Sequence, residues 1–527
     1  MIIFEYSLVF FQISFLALFL SVSGFLLRKT LIDNNHSSLF EEDALFGFIF
    51  IGFLALFLNF LIPLTKFFNT LIFMIIFICG FKFNFFKQNI NQLLLNIFYS
   101  SLICFILYIY STVNRPDAWL YHLPYSKIVN EHKIIIGLAN LGSRFGHPSI
   151  FQYISSFFYN HFFSTNGLLI PIGLVTSFFF VYCFKFFLEN ASAKKFSLIS
   201  YFVFLILTFS LYSFNRYSGY GNDAQLHIYY FFITIFLLKY FLKEKKYITF
   251  KEIIILSAFI FLIKSTFIFV LFIPFVIFLT LKNKKKIIKS LTFIFSSFMI
   301  ILWLLKNILT SGCVIYPLNI SCVEKLPWVA KNTIEASLTI ESWSKAWPDR
   351  KNKNIKKENY TKNFNWVNTW SKSHFQFIIK KLTPIFILII LNVLFFYFIK
   401  CLKKNNDKVN TIFFLLIFIF NTFLMIIWFS MFPVYRFGIS IIYVFILSIL
   451  YFFYIRYVDF NRLFKFQKFF TNILIVFFII AGLKNLVRIS DNFTNSISPN
   501  LNEPFIHESN ITKIFTNIIL SIIMMFV

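Results

Sequence analysis

Residues 111–132, STVNRPDAWLYHLPYSKIVNEH, place a carboxylate, a phenol and an imidazole directly after a long apolar run. Pro116 suits the first turn of a helix, where a missing N–H costs nothing, and Asp117 would follow where the helix dipole favours a carboxylate. Tyr121 comes four residues later on the same helical face, with His122 beside it. The spacing predicts that Asp117, Tyr121 and His122 converge as a candidate catalytic group. The simpler interpretation is that Asp117 only caps the helix.

Charged and polar side chains in other segments are candidates for binding a substrate. They are Arg144, His147, Asp223, Lys264, Lys306 and Arg436. Arg436 stands between Tyr435 and Phe437, and a planar guanidinium is well shaped for a phosphate. A snorkelling Arg that contacts ordinary lipid headgroups has the same sequence pattern. Asp117 and Asp223 could share a sugar hydroxyl or a divalent metal, although two ligands alone do not define a metal site.

The elements that must position these groups follow from the composition. The chain is 59% hydrophobic and 13% charged, with a mean hydropathy of +0.77. We predict an all-α, polytopic transmembrane helical bundle of about 13 to 15 spans, because the apolar runs are long enough to cross a bilayer. The predicted spans are 7–27, 44–64, 68–81, 92–111, 167–187, 196–214, 225–242, 252–263, 266–281, 288–308, 384–400, 409–429, 438–455 and 469–483, with a last apolar run at 514–527. The net charge of +28 lies mostly in short loops beside spans, so the expected partner is membrane lipid and not nucleic acid.

The basic loops also orient the bundle, because the positive-inside rule puts them in the cytoplasm. The conspicuous polar segments then share the other side: 112–165, 215–224, 309–383 and 430–437. We predict a multi-pass protein of the bacterial inner membrane whose site faces the periplasm. Residues 1–485 would form one transmembrane domain, and 486–527 a C-terminal outer segment with the last hydrophobic helix. Cys313 and Cys322 share the second large outer loop, where an oxidising compartment permits either a disulfide or two free thiols.

Four short motifs carry a resemblance to a known class. "DAWLYH", "GLANLGSRFG", "SGCVIYP" and "WFSMFPVYRFG", in this order, resemble a family of uncharacterised bacterial membrane proteins that in turn resembles the GT-C superfamily of polytopic glycosyltransferases. The resemblance implies GT-C-like outer loops and a catalytic acid in the first of them, which is the place of Asp117. It also implies a polyprenyl-phosphate-linked sugar donor, with Arg436 as the phosphate-binding residue, and a glycan or lipid acceptor.

This resemblance gives a mechanism that can be tested. Asp117 would take the proton of the acceptor hydroxyl as general base, while Arg436, helped by Lys264 or Lys306, meets the charge of the leaving phosphate. His122 would orient Asp117 or contact the acceptor. The alternatives are a lipid-linked oligosaccharide transporter or flippase, an O-antigen polymerase or ligase, and a non-catalytic scaffold. No acid lies at the middle of a predicted span and the acids cluster in loops, which disfavours a proton-coupled transporter.

Overall fold

The computed structural model describes residues 2–35, 39–87, 89–111, 117–192, 197–242, 246–348, 356–398, 408–458, 463–494 and 505. The predicted first-turn residue Pro116 and the last apolar run at 514–527 lie outside these ranges. The α-helices are, in chain order, α1 (Ile2–Leu31), α2 (Phe40–Leu61), α3 (Lys66–Lys82), α4 (Ile90–Tyr108), α5 (Leu123–Glu131), α6 (Ile150–Phe158), α7 (Asn166–Ser192), α8 (Leu198–Tyr212), α9 (Asp223–Phe241), α10 (Lys246–Ile263), α11 (Phe272–Thr280), α12 (Lys284–Ile288), α13 (Leu291–Ser311), α14 (Thr333–Ser344), α15 (Lys357–Thr361), α16 (Val367–Trp370), α17 (Gln376–Phe398), α18 (Lys408–Met431), α19 (Tyr435–Tyr457) and α20 (Gln467–Thr494).

The prediction of an all-α transmembrane bundle is confirmed. In the part of the chain that the structure describes, eight helices are long and apolar enough to cross a membrane. Within those residues each predicted span overlaps an α-helix, and the span 266–281 also covers the 3-10 segment Ser265–Leu271. The six predicted spans outside the set of eight lie on α3, α8, α10, α11, α18 and α19. Helices α3 and α17 also expose large apolar side chains, as contact with membrane lipid requires: Leu71, Ile75 and Ile78 on α3, and Ile387, Ile390 and Leu394 on α17. The predicted domain boundary after residue 485 falls inside α20, so it does not coincide with the end of a helix.

Helices α1 and α2 form a hairpin with direct backbone contact. A Cβ atom on Gly24 would lie 1.6 Å from the carbonyl oxygen of Asp43, and one on Gly47 would lie 2.0 Å from that of Leu20. Glycine at both positions is therefore what lets the two helices approach so closely. This contact brings the last turn of α1 beside the first turn of α2.

That contact places Arg28 among buried carboxylates. Its Nη2 lies 2.6 Å from Glu42 and 2.5 Å from Glu252, and its Nη1 lies 3.0 Å from Asp43. Two lysines extend the network: Lys185 pairs with Glu41 at 3.0 Å, and Lys239 pairs with Glu42 at 3.5 Å. We call this group the Arg28 network. It joins α1, α2, α7, α9 and α10 at the ends that the charge pattern predicts to share one side.

Sequence reasoning left these acids outside the predicted spans or at the edge of one. The structure instead includes Glu41, Glu42 and Asp43 in the first turn of α2 and buries them. Acidic side chains there are stabilised by the N-terminal end of the helix dipole, and also by Arg28 for Glu42 and Asp43 and by Lys185 for Glu41. Opposite charges on neighbouring helices can be buried together even where hydropathy predicts a loop.

Candidate functional site

Four charged side chains meet at the end of the bundle opposite the Arg28 network. Asp117 directly precedes a π-helical turn, Ala118–His122, and Asp223 is the first residue of α9. Lys264 has an extended backbone conformation between α10 and the 3-10 segment Ser265–Leu271. The helix is therefore interrupted at Lys264, and its side chain does not follow the helical spacing of α10. Arg436 is the second residue of α19. We call these four residues the Arg436 cluster.

The ion pairs within the cluster are unequal. Lys264 Nζ lies 2.7 Å from Asp223 Oδ1, a direct charge-assisted hydrogen bond. Arg436 spans both acids more loosely, with Nη1 3.5 Å from Asp117 Oδ2 and Nε 3.7 Å from Asp223 Oδ2. The Asp117 and Arg436 side chains are 36% and 40% exposed, so a ligand can reach the looser pair. Arg436 Nε is buried and has no hydrogen-bond partner in the part of the chain that the structure describes.

Aromatic rings hold the two cations of the cluster. The Phe437 ring lies 3.7 Å from Lys264 Nζ and 4.9 Å from Arg436 Cζ. Trp343 of α14 covers Arg436 at 5.1 Å and is itself 47% exposed. Cation–π contacts of this kind fix the direction of a guanidinium while leaving its N–H groups free. Trp343 therefore forms one wall of the site.

His227 ties Arg436 to α9, and sequence reasoning did not include it in the site. Its Nδ1 lies 2.8 Å from Ser440 Oγ, and its Nε2 lies 2.8 Å from the carbonyl oxygen of Arg436. The side chain is buried one helical turn after Asp223. Because His227 follows Asp223 by four residues, the sequence alone indicates that the two side chains share one face of a helix.

Tyr121 and His122 lie side by side near the Arg436 cluster: the charges of Asp117 and Asp223 act on Tyr121, and the charge of Asp223 acts on His122. Their rings lie 4.2 Å apart, and Arg144 stacks on Tyr121 at 5.4 Å. Burial raises the pKa of the Tyr121 phenol, and the charges of Asp117 and Asp223 raise it further. Burial lowers the pKa of His122 to about 3. At neutral pH the phenol is protonated and the imidazole is uncharged.

Lys306 and His147 lie deeper than the sequence suggested. Lys306 is fully buried, with Nζ 2.6 Å from Asn307 Oδ1 and 3.6 Å from the centre of the Trp303 ring. Within the described residues, no carboxylate pairs with it. His147 packs on Tyr316 at 4.9 Å, and its Nε2 has no hydrogen-bond partner among the described residues. Burial, together with the charges of Lys264 and Lys306, lowers the pKa of His147 to about 4. Lys306 thus lies inside the bundle and not at its edge.

The segment 309–383, which the sequence predicts to be an outer loop, has mainly a structural role in its described parts. Cys313 and Cys322 are joined by a disulfide, one of the two alternatives left open by the sequence. Trp366 and Trp370 are buried against Phe429. Trp343 is the tryptophan of this loop whose ring contacts Arg436.

The suggestion that Asp117 and Asp223 share a metal gains no support from their surroundings. Across the described ranges, no group of three or more His, Cys, Asp and Glu side chains is placed to hold a metal ion. Arg436 lies near both carboxylates and Lys264 contacts one of them. Their positive charge opposes a further cation at the same oxygens.

An apolar cavity of about 960 Å³ lies between α9, α10, α11 and α18. Its wall on α9 begins at Tyr230, about 10 Å along the helix axis from Asp223. At that end the Tyr230 hydroxyl donates to Asn421 Oδ1 at 2.7 Å. Lys246 and Lys282 border the other end. The cavity therefore runs along the membrane-spanning part of α9, below the Arg436 cluster.

Together, these features define a multi-pass helical membrane protein with a solvent-accessible charge cluster at one end of the bundle and an apolar cavity beneath it. The chain belongs to the family described as "Domain of unknown function (DUF8201)", whose model matches residues 7–443. No curated protein and no solved structure matches the chain.

Proposed function

We propose that the protein transfers a sugar from a polyprenyl-phosphate-linked donor to a glycan or lipid acceptor, in the manner of GT-C glycosyltransferases. One observation carries the proposal: among the described residues, the Arg436 cluster and its neighbour Arg144 hold three cations against two carboxylates, and the cluster lies above an apolar cavity. This pairing suits an amphipathic anion, whose phosphate meets the cations and whose chain occupies the cavity.

The unequal ion pairs suggest separate roles for the two acids. Asp223 contacts Lys264 directly and also lies near Arg436, so it anchors the cations. Asp117 is held only loosely by Arg436. When a donor phosphate binds Arg436, Asp117 is released to accept a proton. Asp117, which the resemblance assigns as the general base, is therefore also the carboxylate that its ion pairs hold less tightly.

The reaction is a direct displacement at the anomeric carbon. The acceptor hydroxyl oxygen bonds to that carbon, and the bond from the carbon to the phosphate oxygen breaks with its electron pair leaving on the lipid phosphate. Asp117 takes the hydroxyl proton, and the anomeric centre inverts. Arg436 and Lys264 stabilise the negative charge that develops on the phosphate. Because a carboxylate is a weak base, positioning supplies much of the rate.

The remaining groups recognise the sugar and acceptor without exchanging protons. The Tyr121 phenol keeps its proton because its pKa is raised, so it can donate a hydrogen bond. Trp343 offers an exposed ring beside Arg436, which suits stacking against a sugar. Arg144 holds Tyr121 in place through its ring contact.

The proposal is tested by the glycolipid profile of cells that carry Asp117→Asn. We expect a glycosylated product to disappear and its polyprenyl-linked donor to accumulate. The matched control is Glu131→Gln, an exposed acid in the same loop that pairs with Lys127 at 3.2 Å. A profile unchanged by Asp117→Asn, with the protein present at its normal level, would falsify the proposal.

A lipid-linked oligosaccharide transporter is the second candidate, and the Arg28 network is the observation that favours it. Buried acids within a membrane bundle often belong to proton or substrate pathways. Glu42 and Glu252 share one nitrogen of Arg28 at 2.6 and 2.5 Å. In this case Glu252→Gln would abolish movement of a lipid-linked sugar across vesicle membranes, and Asp117→Asn would not.

A further inference from the structure

The hydrogen bonds around His122 fix which of its ring nitrogens carries the proton. Gln152 Nε2 lies 3.0 Å from His122 Nδ1, and both side chains are buried. The other end of the same amide accepts a hydrogen bond from the backbone N–H of Ser149, with 2.6 Å between Ser149 N and Gln152 Oε1. Ser149 caps α6, and this bond is half of its capping box.

The backbone removes the usual ambiguity of a glutamine amide. An N–H group cannot accept a hydrogen bond, so the atom facing Ser149 N must be the amide oxygen. The amide nitrogen then faces His122 and donates to Nδ1. A ring nitrogen that accepts carries no proton, so a neutral His122 has its proton on Nε2.

The charged neighbours also favour the neutral ring. Asp223 attracts a proton to His122, whereas Arg436, Lys264 and Arg144 repel one, and burial adds to the repulsion. The pKa of His122 is accordingly lowered to about 3. Protonating Nδ1 would also point its new hydrogen at the N–H₂ group of Gln152.

The protonated nitrogen faces the site. His122 Nε2 lies 3.9 Å from the position that a Cβ on Gly221 would take, in the loop directly before Asp223. The Tyr220 ring lies 5.9 Å away in an edge arrangement. Within the described ranges, no hydrogen-bond acceptor is paired with this nitrogen. A donor is therefore left free beside the Arg436 cluster.

We propose that Gln152 is a positioning residue that holds His122 neutral with its proton on Nε2, so that His122 donates a hydrogen bond to a ligand oxygen and does not act as a base. The oxygen would be a sugar hydroxyl or a phosphate oxygen. The identity of that ligand rests on the proposed function, whereas the protonation of the ring does not. The assignment leaves Asp117 as the proton acceptor.

The ring state can be measured in the wild-type protein without any activity. ¹⁵N-labelled histidine in bilayer-embedded protein gives separate signals for protonated and bare ring nitrogens, and His122→Gln identifies the signals of His122. We expect a bare Nδ1 and a protonated Nε2 from pH 7 down to pH 5. A protonated Nδ1, in either a neutral or a charged ring, overturns the proposal.

Gln152→Glu tests the positioning role. The new carboxylate can still accept from Ser149 N–H, but it cannot donate to Nδ1 and instead accepts from it. We expect the His122 proton to move to Nδ1, or a second proton to be bound at pH 7. Gln12→Glu is the matched control, because Gln12 is another buried glutamine, bonded to Phe162 O and Asn166 Nδ2. His122 signals that are the same in wild type and Gln152→Glu contradict the role of Gln152.

The two proposals can fail separately. If His122 has the expected ring state but Asp117→Asn leaves the glycolipids unchanged, the transferase proposal fails and the assignment of His122 stands. If transfer depends on Asp117 but Nδ1 is protonated, the assignment of His122 fails alone.

Discussion

The unequal ion pairs of the Arg436 cluster predict opposite effects for its two acids on stability and on activity. Asp223→Asn removes the carboxylate that Lys264 contacts at 2.7 Å and that Arg436 approaches at 3.7 Å. Asp117→Asn removes a carboxylate with one loose contact of 3.5 Å. Asp223 should therefore matter more to folding and Asp117 more to chemistry.

The magnitudes follow from distance and exposure. Two unit charges about 4 Å apart interact by about 4 kcal/mol at an effective dielectric constant of about 20. The Lys264 and Asp223 side chains are 23% and 31% exposed, so solvent screening and desolvation reduce the net value. We expect Asp223→Asn to lower the free energy of unfolding by about 1–3 kcal/mol. Asp117→Asn should cost less than about 1 kcal/mol, as exposed pairs do.

The assay combines unfolding and activity on the same preparations. Unfolding in mixed micelles of rising SDS content, followed by tryptophan fluorescence, ranks the stabilities. Transfer of sugar from a polyprenyl-linked donor ranks the activities, and Asp117→Asn should be inactive while nearly as stable as wild type. Equal destabilisation by the two variants, or full activity of Asp117→Asn, would refute the reasoning.

Three further predictions concern parts of the fold outside the cluster. Arg28→Met removes the cation shared by three buried carboxylates and should destabilise the protein by about 3–5 kcal/mol; a loss below about 1 kcal/mol in SDS unfolding would contradict the account of the network. The pKa values of His122 and His147 are lowered to about 3 and about 4 in the folded protein. Below about pH 6.5 the unfolded chain therefore binds more protons than the folded protein. The free energy of unfolding falls as the pH drops, by up to about 1.4 kcal/mol per pH unit for each residue. Melting curves from pH 7 to 5 should show this decline, and His122→Gln should flatten it; an equal decline in that variant would count against the assignment. Cys313 and Cys322 should not react with a maleimide until a reductant is added, and labelling of either residue without reductant would contradict the disulfide. Cys313→Ser should lower the free energy of unfolding by about 2–3 kcal/mol, because the disulfide no longer closes the loop in the unfolded chain.

Much of the fold could be predicted because hydropathy reports span length directly. The sidedness of the charges also proved informative, since Asp117, Asp223 and Arg436 were predicted to share one side and they meet there. Periodicity and charge show which side a residue occupies. They do not show which helices are neighbours, so neither the contact of Lys264 with Asp223 nor the depth of Lys306 could be predicted.

The missed features share a physical cause. The sequence predicted Glu42 outside the spans and Glu252 at the edge of one, because an acid lowers the mean hydropathy wherever it lies. Inside the bundle, however, Arg28 balances the negative charge of both side chains. Gln152 is uncharged and belongs to no recognisable motif. Its role depends on the backbone N–H of Ser149 at the cap of α6, which orients its amide toward His122. Such pairings depend on tertiary structure and leave little trace in one sequence.

The central claim is that the Arg436 cluster binds the phosphate of a lipid. Native mass spectrometry of the protein with polyprenyl monophosphate, compared with uncharged polyprenol, tests it most directly. We predict that wild type prefers the phosphate and that Arg436→Gln weakens its binding about tenfold, which corresponds to about 1.4 kcal/mol. Arg216→Gln is the control, because Arg216 is exposed at the same end and stacks on Phe377 outside the cluster. Equal binding of the phosphate and the alcohol, or no loss in Arg436→Gln, would contradict the account.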